Sequence, residues 1–426
     1  MRRDEDGPLN LPDEGGAATG RQGAQGGRVL APERWLMQRL LDNVGNPPFA
    51  VTLWDGRDLE PVPDSPVARL HLRDRGAFYR LLMHPDLHFG DDYAAGRIEV
   101  EGDLVSFLET VERTRQSRHG AGGGKLGPLS RLHRPRRNTL GGSRKNIHHH
   151  YDLGNDFYAL WLDQEMVYTC AYFPDPQVGL EEAQRAKMDH VARKLRLQPG
   201  ETVVEAGCGW GSLARHLARE YGVRVRAFNI STEQIAYARE RAAEEGLDDR
   251  IEYVQDDYRN VSGAYDAFVS VGMLEHVGTE HYRDLGAAIE KSLAPNGRAL
   301  VHSIGRNRPV GPMNPWIERR IFPGAYPPAL SEMTEIFEPF NFSIQDVENL
   351  RLHYARTLEH WLERFDRNAS TVRDWFGESF VRAWRLYLAG SIAAFRASTL
   401  QLFQMVMTRP HNNELPWTRG YLYPDE

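Results

Sequence analysis

Hydrophobic and polar positions change period repeatedly between Leu197 and Gly305, and this change predicts strands that alternate with helices. Short runs of β-branched and aromatic residues predict five strands, at residues 203–204, 223–228, 251–254, 265–271 and 298–302. Apolar residues at helical spacing lie between them, and Ser231 with Gln234 forms a capping-box pattern at the start of one helix. This order is typical of an α/β fold with a parallel sheet and crossover helices.

A smaller α+β unit is predicted over residues 31–112. Its strands are expected at 49–54, 68–72 and 97–100, and a helix is expected from Gly76 to Met83. Residues 1–30 are rich in Gly, Asp, Glu and Arg and contain no apolar segment. We therefore expect a disordered leader there rather than a secretion signal.

Length and composition favour a two-domain cytosolic protein. No apolar run reaches the roughly 18 residues that a membrane-spanning helix needs. The only cysteines are Cys170 and Cys208, which excludes a disulfide framework and a Cys-rich metal site. The run His148–His150 lacks the ligand spacing of a helical metal site, so no metal is expected. The formal net charge of −7 argues against a general polyanion-binding protein.

Positive charge is concentrated in a basic linker, residues 113–146, which carries ten Lys or Arg residues and no Asp or Glu. Its glycines and prolines are typical of a solvated interdomain linker. The segment also suits contact with anionic lipid headgroups, at roughly 1 kcal/mol for each cation near the surface. Nucleic acid is disfavoured as a partner, because the segment has no Phe, Tyr or Trp to stack on bases.

A glycine-rich turn follows the first predicted strand. Glu205 ends that strand, and Gly207, Gly209 and Gly211 follow at alternate positions before a helix begins. Such glycines allow a ligand to approach the backbone beyond the carboxyl ends of parallel strands. This spacing differs from the dinucleotide fingerprint and is the pattern of S-adenosylmethionine (SAM) methyltransferases. A purely structural turn is the alternative.

Several long motifs occur in one order along the chain. They are residues 150–158, 160–163, 166–173, 205–211, 270–278, 300–305, 316–317, 321–324, 353–354, 361–365, 394–396 and 401–404. Over residues 147–409 the sequence resembles the cyclopropane fatty acid synthase family, SAM-dependent enzymes that convert cis double bonds of acyl chains to cyclopropane rings. The resemblance implies a Rossmann-like class I methyltransferase domain at 147–409. We expect residues 410–426 to form a tail and the N-terminal unit to be a lipid-presenting or recognition domain.

The resemblance also assigns site residues. By similarity, the SAM contacts are Tyr151, Tyr168, Thr169, Glu205, Gly207, Gly209, Gly211, Asn229, Gln234, Asp257 and Tyr258. The family holds a bicarbonate ion at its active centre, and the corresponding positions are Cys170, Glu275, His302, Ile304 and Tyr354. Many relatives carry a cysteine where this chain has Ser391, so the resemblance implies that a thiol there is not required.

The implied chemistry explains these residue types. An alkene is a weak nucleophile, so it requires the strong electrophile of the SAM sulfonium. The carbocation that results must lose a proton in a site that excludes water. The bicarbonate hydroxyl would donate to Glu275, while His302, Tyr354 and backbone N–H groups would donate to its oxygens. Cys170 and Ile304 would act through their backbones.

Aromatic side chains and one histidine lie close to these motifs in the sequence. His276 is expected to pack beside the site rather than to act as its base. Four residues are candidates for cation–π stabilisation, with core packing as the alternative for each: Tyr168, Tyr172, Trp316 and Phe322.

The leading hypothesis is cyclopropane formation in unsaturated phospholipid acyl chains by a cytoplasmic homodimer that associates peripherally with the inner face of the membrane. The N-terminal unit and the basic linker favour phospholipid over a carrier-bound thioester. Loss of a different proton would give a methylene- or methyl-branched chain. A small-molecule O- or N-methyltransferase and a non-enzymatic lipid-binding protein are the other hypotheses.

Overall fold

The computed structural model describes Leu9, Leu11 and residues 27–120, 153–309 and 313–423. Most of the expected leader, most of the basic linker, the run His148–His150 and Tyr151 lie outside the described residues. Within the described ranges, no helix combines the length and the apolar character needed to cross a bilayer.

The secondary structure elements are named here in chain order. The helices of the described ranges are α1 (Ala31–Asn43), α2 (Arg75–Met83), α3 (Pro85–Ala94), α4 (Leu104–Gly120), α5 (Asn155–Ala159), α6 (Leu180–Leu195), α7 (Ser212–Glu220), α8 (Thr232–Glu244), α9 (Tyr282–Ser292), α10 (Pro315–Arg320), α11 (Leu330–Met333), α12 (Arg351–Arg367), α13 (Ala369–Phe376) and α14 (Glu378–Arg396). The strands are β1 (Phe49–Thr52), β2 (Ala68–Leu72), β3 (Ile98–Glu101), β4 (Thr202–Ala206), β5 (Arg224–Asn229), β6 (Ile251–Gln255), β7 (Tyr265–Val271), β8 (Leu293–Gly305), β9 (Ser343–Asn349) and β10 (Gln401–Thr408).

The larger sheet has the strand order β6-β5-β4-β7-β8-β10-β9. Strands β4 to β8 pair in parallel, and β10 is antiparallel to both β8 and β9. The order reverses at β4, which lies between β5 and β7, and ligands of open α/β sheets bind at such a switch point. The expected α/β, Rossmann-like methyltransferase fold is therefore confirmed.

Apolar cores on both faces bury this sheet. Val203 belongs to a cluster that includes Leu213 and Ala238 from α7 and α8. The next residue, Val204, belongs to a second cluster that includes Leu285 from α9. Successive side chains of a strand point to opposite faces, so a strand covered by helices on both faces is apolar throughout.

The five predicted strands are confirmed as β4 to β8, and β8 is longer than expected. Leu293 pairs with Tyr265 and Arg298 pairs with Ala267, so residues 294–297 bulge opposite a single residue. The sequence pattern did not predict β9 and β10, because β9 is polar at most positions and β10 is buried throughout, without alternation.

Contacts divide the described chain into two compact units. The first comprises residues 27–120, 313–323 and 358–399, and the second residues 153–309, 324–357 and 400–423. In the first unit, β1 pairs in parallel with β2, and β2 pairs antiparallel with β3. The N-terminal strands and helix predicted from the sequence are confirmed as β1, β2, β3 and α2.

The first unit also includes helices from the predicted 147–409 domain. Arg382 on α14 donates to Tyr93 O at 2.6 Å and to Ile98 O at 3.1 Å. Arg320 on α10 forms a bidentate pair with Asp91 at 3.0 Å for each bond. These bonds explain why the contacts group α10, α13 and α14 with the N-terminal elements, across the boundary that the sequence suggests.

Candidate active site

The glycine-rich turn joins β4 to α7. Its three glycines have φ angles in the left-handed region, at +84°, +54° and +80° for Gly207, Gly209 and Gly211. The N–H groups of Gly207 and Cys208 both donate to Phe228 O, at 2.9 and 3.0 Å, which fixes the turn against β5.

Two of these glycines have different surroundings. A Cβ on Gly211 would lie 2.5 Å from Tyr253 Oη and 2.7 Å from Ala238 Cβ, so this glycine allows β6 and α8 to pack closely. A Cβ on Gly207 would lie 3.0 Å from Met273 Cβ and would narrow a cleft at this edge of the sheet. Among the three glycines, Gly207 lines the cleft, and Gly209 has open space around the position of a Cβ.

The cleft has a volume of about 550 Å³, including the part open to solvent. Its lining residues are Gly207, Phe228, Asn229, Ile230, Asp256, Asp257, Tyr258, Arg259, Met273, His276, Val277 and His281. Apolar walls with a few polar groups suit the adenosine part of SAM. Four predicted SAM contacts thus come together, namely Gly207, Asn229, Asp257 and Tyr258.

Sequence reasoning missed Met273 and His281 as cleft residues. Both follow β7, so the rule that ligands lie beyond strand ends was a signal that could have found them. His276, expected to pack beside the site, lines the cleft. Burial lowers the pKa of His276 to about 4, so its ring is a weak base.

Asn229 is held in place by its neighbours. Its Nδ2 donates to Gly209 O at 3.1 Å and to Gln234 Oε1 at 2.8 Å, and its Oδ1 accepts from Ser231 N–H at 3.2 Å. Ser231 Oγ accepts from Gln234 N–H, so the predicted cap of α8 forms. The second half of the predicted capping box does not form, because the Gln234 amide bonds to Asn229 instead. Gln234 acts by positioning Asn229.

An ion pair fixes the carboxylate of Asp257 at the cleft wall. Arg259 Nε and Nη2 each donate to it at 2.8 Å. The neighbouring Tyr258 is half-buried, and burial raises the pKa of its hydroxyl well above the usual range, so this group is neutral.

Glu205 lies at the end of β4 and is 3% exposed. Its Oε2 has no hydrogen-bond partner among the described residues. Burial raises the pKa of this carboxyl to about 7, although the charges of Lys187 and Arg215 act to lower it. An orphaned carboxylate oxygen beneath the glycine-rich turn fits a cationic group of a ligand such as SAM.

A second buried carboxylate, Glu275, lies in the 3-10 turn after β7. Its Oε1 accepts from Ile304 N–H at 2.6 Å, and its Oε2 has no partner among the described residues. Burial raises the pKa of Glu275 to about 7. The Ile304 N–H thus donates to Glu275 in this structure, and its contact with a bound anion stays a prediction.

His302 on β8 is held by a strand that the sequence did not predict. Gln404 lies opposite it on β10, and Gln404 Nε2 donates to His302 Nδ1 at 3.0 Å. Burial lowers the pKa of His302 to about 3, so the ring is neutral. With the amide nitrogen of Gln404 facing Nδ1, the proton of the ring is assigned to Nε2, which makes His302 an N–H donor.

Two hydrogen bonds hold the start of α12 against the segment that contains Cys170. Ala171 N–H donates to Thr357 Oγ1 at 3.0 Å, and Phe173 N–H donates to His353 Nδ1 at 3.0 Å. Tyr354 is the residue after His353 on this helix, and its place at the active centre stays a prediction.

The Cys170 thiol is fully buried and donates to Ala171 O at 3.1 Å. Burial raises its pKa well above the usual range, so the thiol is protonated and is not a nucleophile. This agrees with the expectation that Cys170 acts through its backbone.

The aromatic candidates are mainly packing residues. Tyr172 lies between the rings of His190 and His353, with centroids 4.3 and 4.8 Å away. Both faces of Tyr172 are covered, which excludes the cation–π role considered for it. Tyr168 packs against Tyr158 and Trp161, with centroids 5.5 and 5.2 Å away.

The other two aromatic candidates and Ser391 belong to the first unit. There Trp316 is 3% exposed and packs directly against Gly90. Phe322 makes an edge contact with Tyr387 at 5.4 Å between centroids, and Ser391 lies on α14. Across the described ranges, no cluster of His, Cys, Asp or Glu side chains is suited to a metal ion.

Comparison with known proteins agrees with this geometry. The sequence model of the family described as mycolic acid cyclopropane synthetase matches residues 139–405, and a model for a domain of unknown function matches residues 36–120. A probable fatty acid methyltransferase from Pseudomonas putida is 36% identical over 389 residues, which cover 88% of this chain and 96% of that protein.

Two further relatives match 62% of this chain each. A cyclopropane-fatty-acyl-phospholipid synthase from Escherichia coli K12 is 40% identical over 266 residues, which cover 62% of this chain and 68% of that protein. A solved mycolic acid cyclopropane synthase in complex with SAH and CTAB is 29% identical, with a TM-score of 0.60, and covers 62% of this chain and 98% of that one. The chain therefore belongs to the mycolic acid cyclopropane synthetase family and is a SAM-dependent methyltransferase.

Proposed function

We propose that this protein transfers the methyl carbon of SAM to a cis double bond of an unsaturated phospholipid acyl chain and closes a cyclopropane ring. The observation that carries the proposal is the presence of two buried polar groups, Glu275 after β7 and His302 on β8. Glu275 offers a carboxylate oxygen without a partner among the described residues, and His302 offers a fixed, neutral N–H donor. Together they suit a small anion that both donates and accepts hydrogen bonds.

The residues around the cleft fit SAM, which supplies an electrophilic methyl group when bound. Gly207 leaves space for the ligand, Asn229 and Asp257 are held rigid at the wall, and Glu205 supplies a buried oxygen for a cation. Rigid, preorganised polar groups lose little freedom on binding, which favours affinity and orientation.

The active-centre residues fit bicarbonate, which would supply a base for the proton lost at ring closure. Glu275 Oε2 would accept from the bicarbonate hydroxyl, while His302 Nε2 and Tyr354 would donate to its oxygens. Cys170 is fully buried, and Glu275 and His302 are nearly so. Burial excludes the water that would otherwise trap a carbocation, and it strengthens each electrostatic interaction.

A phospholipid substrate is supported by the surface of the first unit. Trp35 and Met83 are 56% and 64% exposed, and the Arg39 guanidinium lies 4.9 Å from the Trp35 ring centroid. Exposed aromatic and basic side chains of this kind suit a membrane interface. Peripheral association with the inner face of the membrane, as a cytoplasmic homodimer, is part of this proposal.

A second candidate is methylation of the same double bond to give a methylene- or methyl-branched acyl chain. The relative that matches most of this chain is named a probable fatty acid methyltransferase, without reference to a cyclopropane. The two reactions share the first step and differ in which proton leaves.

The test is incubation of the protein with methyl-deuterated SAM and vesicles of an unsaturated phospholipid, followed by mass spectrometry before and after hydrogenation. Gain of a CD₂ group in a chain that resists hydrogenation supports ring formation. A labelled chain that still takes up hydrogen establishes the branched product instead. Absence of label from the lipid overturns the phospholipid substrate, and carrier-bound acyl groups and small O- or N-nucleophiles then become the test substrates.

A further inference from the structure

Helix α6 directs two buried polar side chains at the predicted SAM contact Thr169. Gln184 Nε2 donates to Thr169 O at 2.9 Å, and Lys187 Nζ donates to Thr169 Oγ1 at 3.2 Å. Lys187 is 2% exposed, and no carboxylate of the described residues lies within 4.0 Å of its Nζ. A buried ammonium group with only a neutral partner is costly, so its presence needs a functional explanation.

The two carboxylates nearest in charge interaction to Lys187, Asp163 and Glu205, differ in the hydrogen bonds that they accept. Asp163 accepts from Val167 N–H at 2.8 Å and from Glu165 N–H at 3.2 Å. Glu205 instead has the orphaned Oε2 described above. Lys187 and Glu205 are thus two buried titratable groups of opposite charge type, and among the described residues neither has a charged partner in contact. Burial lowers the pKa of Lys187 to about 8, so its ammonium group is charged below that pH.

The environment of Glu205 singles out Lys187. The charged and titratable groups that face Glu205 are Lys187 from α6, Arg215 from α7, Cys208 from the glycine-rich turn and Tyr253 from β6. Arg215 is committed to Glu165 at 2.6 Å and to Glu245 at 2.9 Å. Of the two cations that face Glu205, Lys187 is therefore the one that forms no ion pair with a carboxylate of the described residues.

We infer that Lys187 is a positioning residue for the methyl donor, which holds Thr169 and provides the counter-charge of Glu205 so that Glu205 Oε2 receives the α-ammonium group of SAM. An ammonium group brings N–H donors and a positive charge, and both suit a buried carboxylate oxygen. The inference rests on the proposed SAM site and extends it to a residue outside the cleft.

Titration gives this inference a distinctive signature. The pKa of Glu205 is raised to about 7 by burial and lowered by Lys187, so loss of Lys187 moves it upward. At pH 7.5 more of the carboxyl is then protonated and cannot accept the ammonium. Affinity is expected to return as the pH rises and Glu205 ionises.

The experiment compares the wild type with Lys187→Met by calorimetric titration of two probes between pH 6.5 and 9.5. S-adenosylhomocysteine (SAH) carries the amino-acid group, whereas 5′-methylthioadenosine occupies only the nucleoside cleft. The variant should bind SAH at least tenfold more weakly at pH 7.5, recover toward high pH, and bind methylthioadenosine as the wild type does. Arg185→Met, which removes an exposed cation from the same helix, should leave both affinities unchanged.

Unchanged SAH affinity at every pH, or equal weakening of both probes, overturns the inference. Glu205→Gln provides a second variant, which should weaken SAH at every pH. Adding Lys187→Met to it should cause a smaller loss than Lys187→Met causes in the wild type, because only the hydrogen bond to Thr169 is then removed. A loss as large as in the wild type also overturns the inference. If Lys187→Met weakens SAH but not methylthioadenosine, and the wild type transfers no label to lipid, the proposed substrate is overturned and the inference about Lys187 stands.

Discussion

Replacing Glu275 by glutamine keeps the shape of the side chain and the acceptor for Ile304 N–H but removes the charge. Because the pKa of Glu275 is raised from 4.5 to about 7 by burial, the folded protein binds more protons than the unfolded chain between these values. The stability that this group contributes is therefore lost as the pH rises through this window.

The magnitude follows from the same values. A pKa raised from 4.5 to about 7 corresponds to about 3 kcal/mol in the free energy of unfolding, and about 2 kcal/mol of this falls between pH 5.5 and pH 8. Glu275→Gln has no such titration. On going from pH 5.5 to pH 8, the wild type should therefore lose about 2 kcal/mol relative to the variant.

Urea unfolding followed by tryptophan fluorescence at both pH values measures this difference. Glu280→Gln, which removes an exposed carboxylate from the following turn, should keep the pH dependence of the wild type. The variant at Glu275 should also lose at least about 100-fold in turnover while SAM still binds, because its Nε2 donates where an acceptor is required. If the free energy of unfolding depends on pH equally in the wild type and in Glu275→Gln, the raised pKa of a buried Glu275 carboxyl is refuted.

Four further results are expected. The turnover of the wild type should rise with pH through about 7 as Glu275 ionises, and a pH–rate profile that is flat from 5.5 to 8.5 would contradict this. Tyr354→Phe should nearly abolish turnover without weakening SAM, measured by product mass spectrometry and titration calorimetry. Gly211→Ala should destabilise the protein by about 2 to 5 kcal/mol, because φ is +80° and Tyr253 occupies the space, whereas Gly390→Ala, with open space around it, should not. Ser391→Ala should retain full turnover, and a large loss would make this hydroxyl part of the site.

Much of the catalytic fold was predictable because its signals are local. The parallel strands are apolar runs buried on both faces, and the glycine-rich turn needs backbone angles that glycine adopts most readily. Both constraints act within a few residues and therefore leave a pattern in the sequence. The expected positions of Glu275 and His302 beyond strand ends depend on the same regular geometry.

Strand β10 illustrates what local signals omit. It pairs with β8 more than 90 residues earlier in the chain, and this pairing places Gln404 opposite His302 and thereby sets the proton of the imidazole on Nε2. The membership of α14 in the first unit depends likewise on Arg382 and its bonds to Tyr93 and Ile98. Both contacts join residues that are far apart in the sequence, so the pattern of neighbouring residues does not predict them.

The amino-acid pattern alone was enough to identify five of the seven strands of the larger sheet, the glycine-rich turn and the family. The state of the active-site groups required the folded chain. Glu275 and Glu205 have pKa values near 7, His302 is neutral, and the Ile304 N–H donates to a carboxylate because residues distant in sequence remove water and supply hydrogen bonds. Burial and long-range hydrogen bonds depend on packing in three dimensions, and residue type and order do not specify them locally.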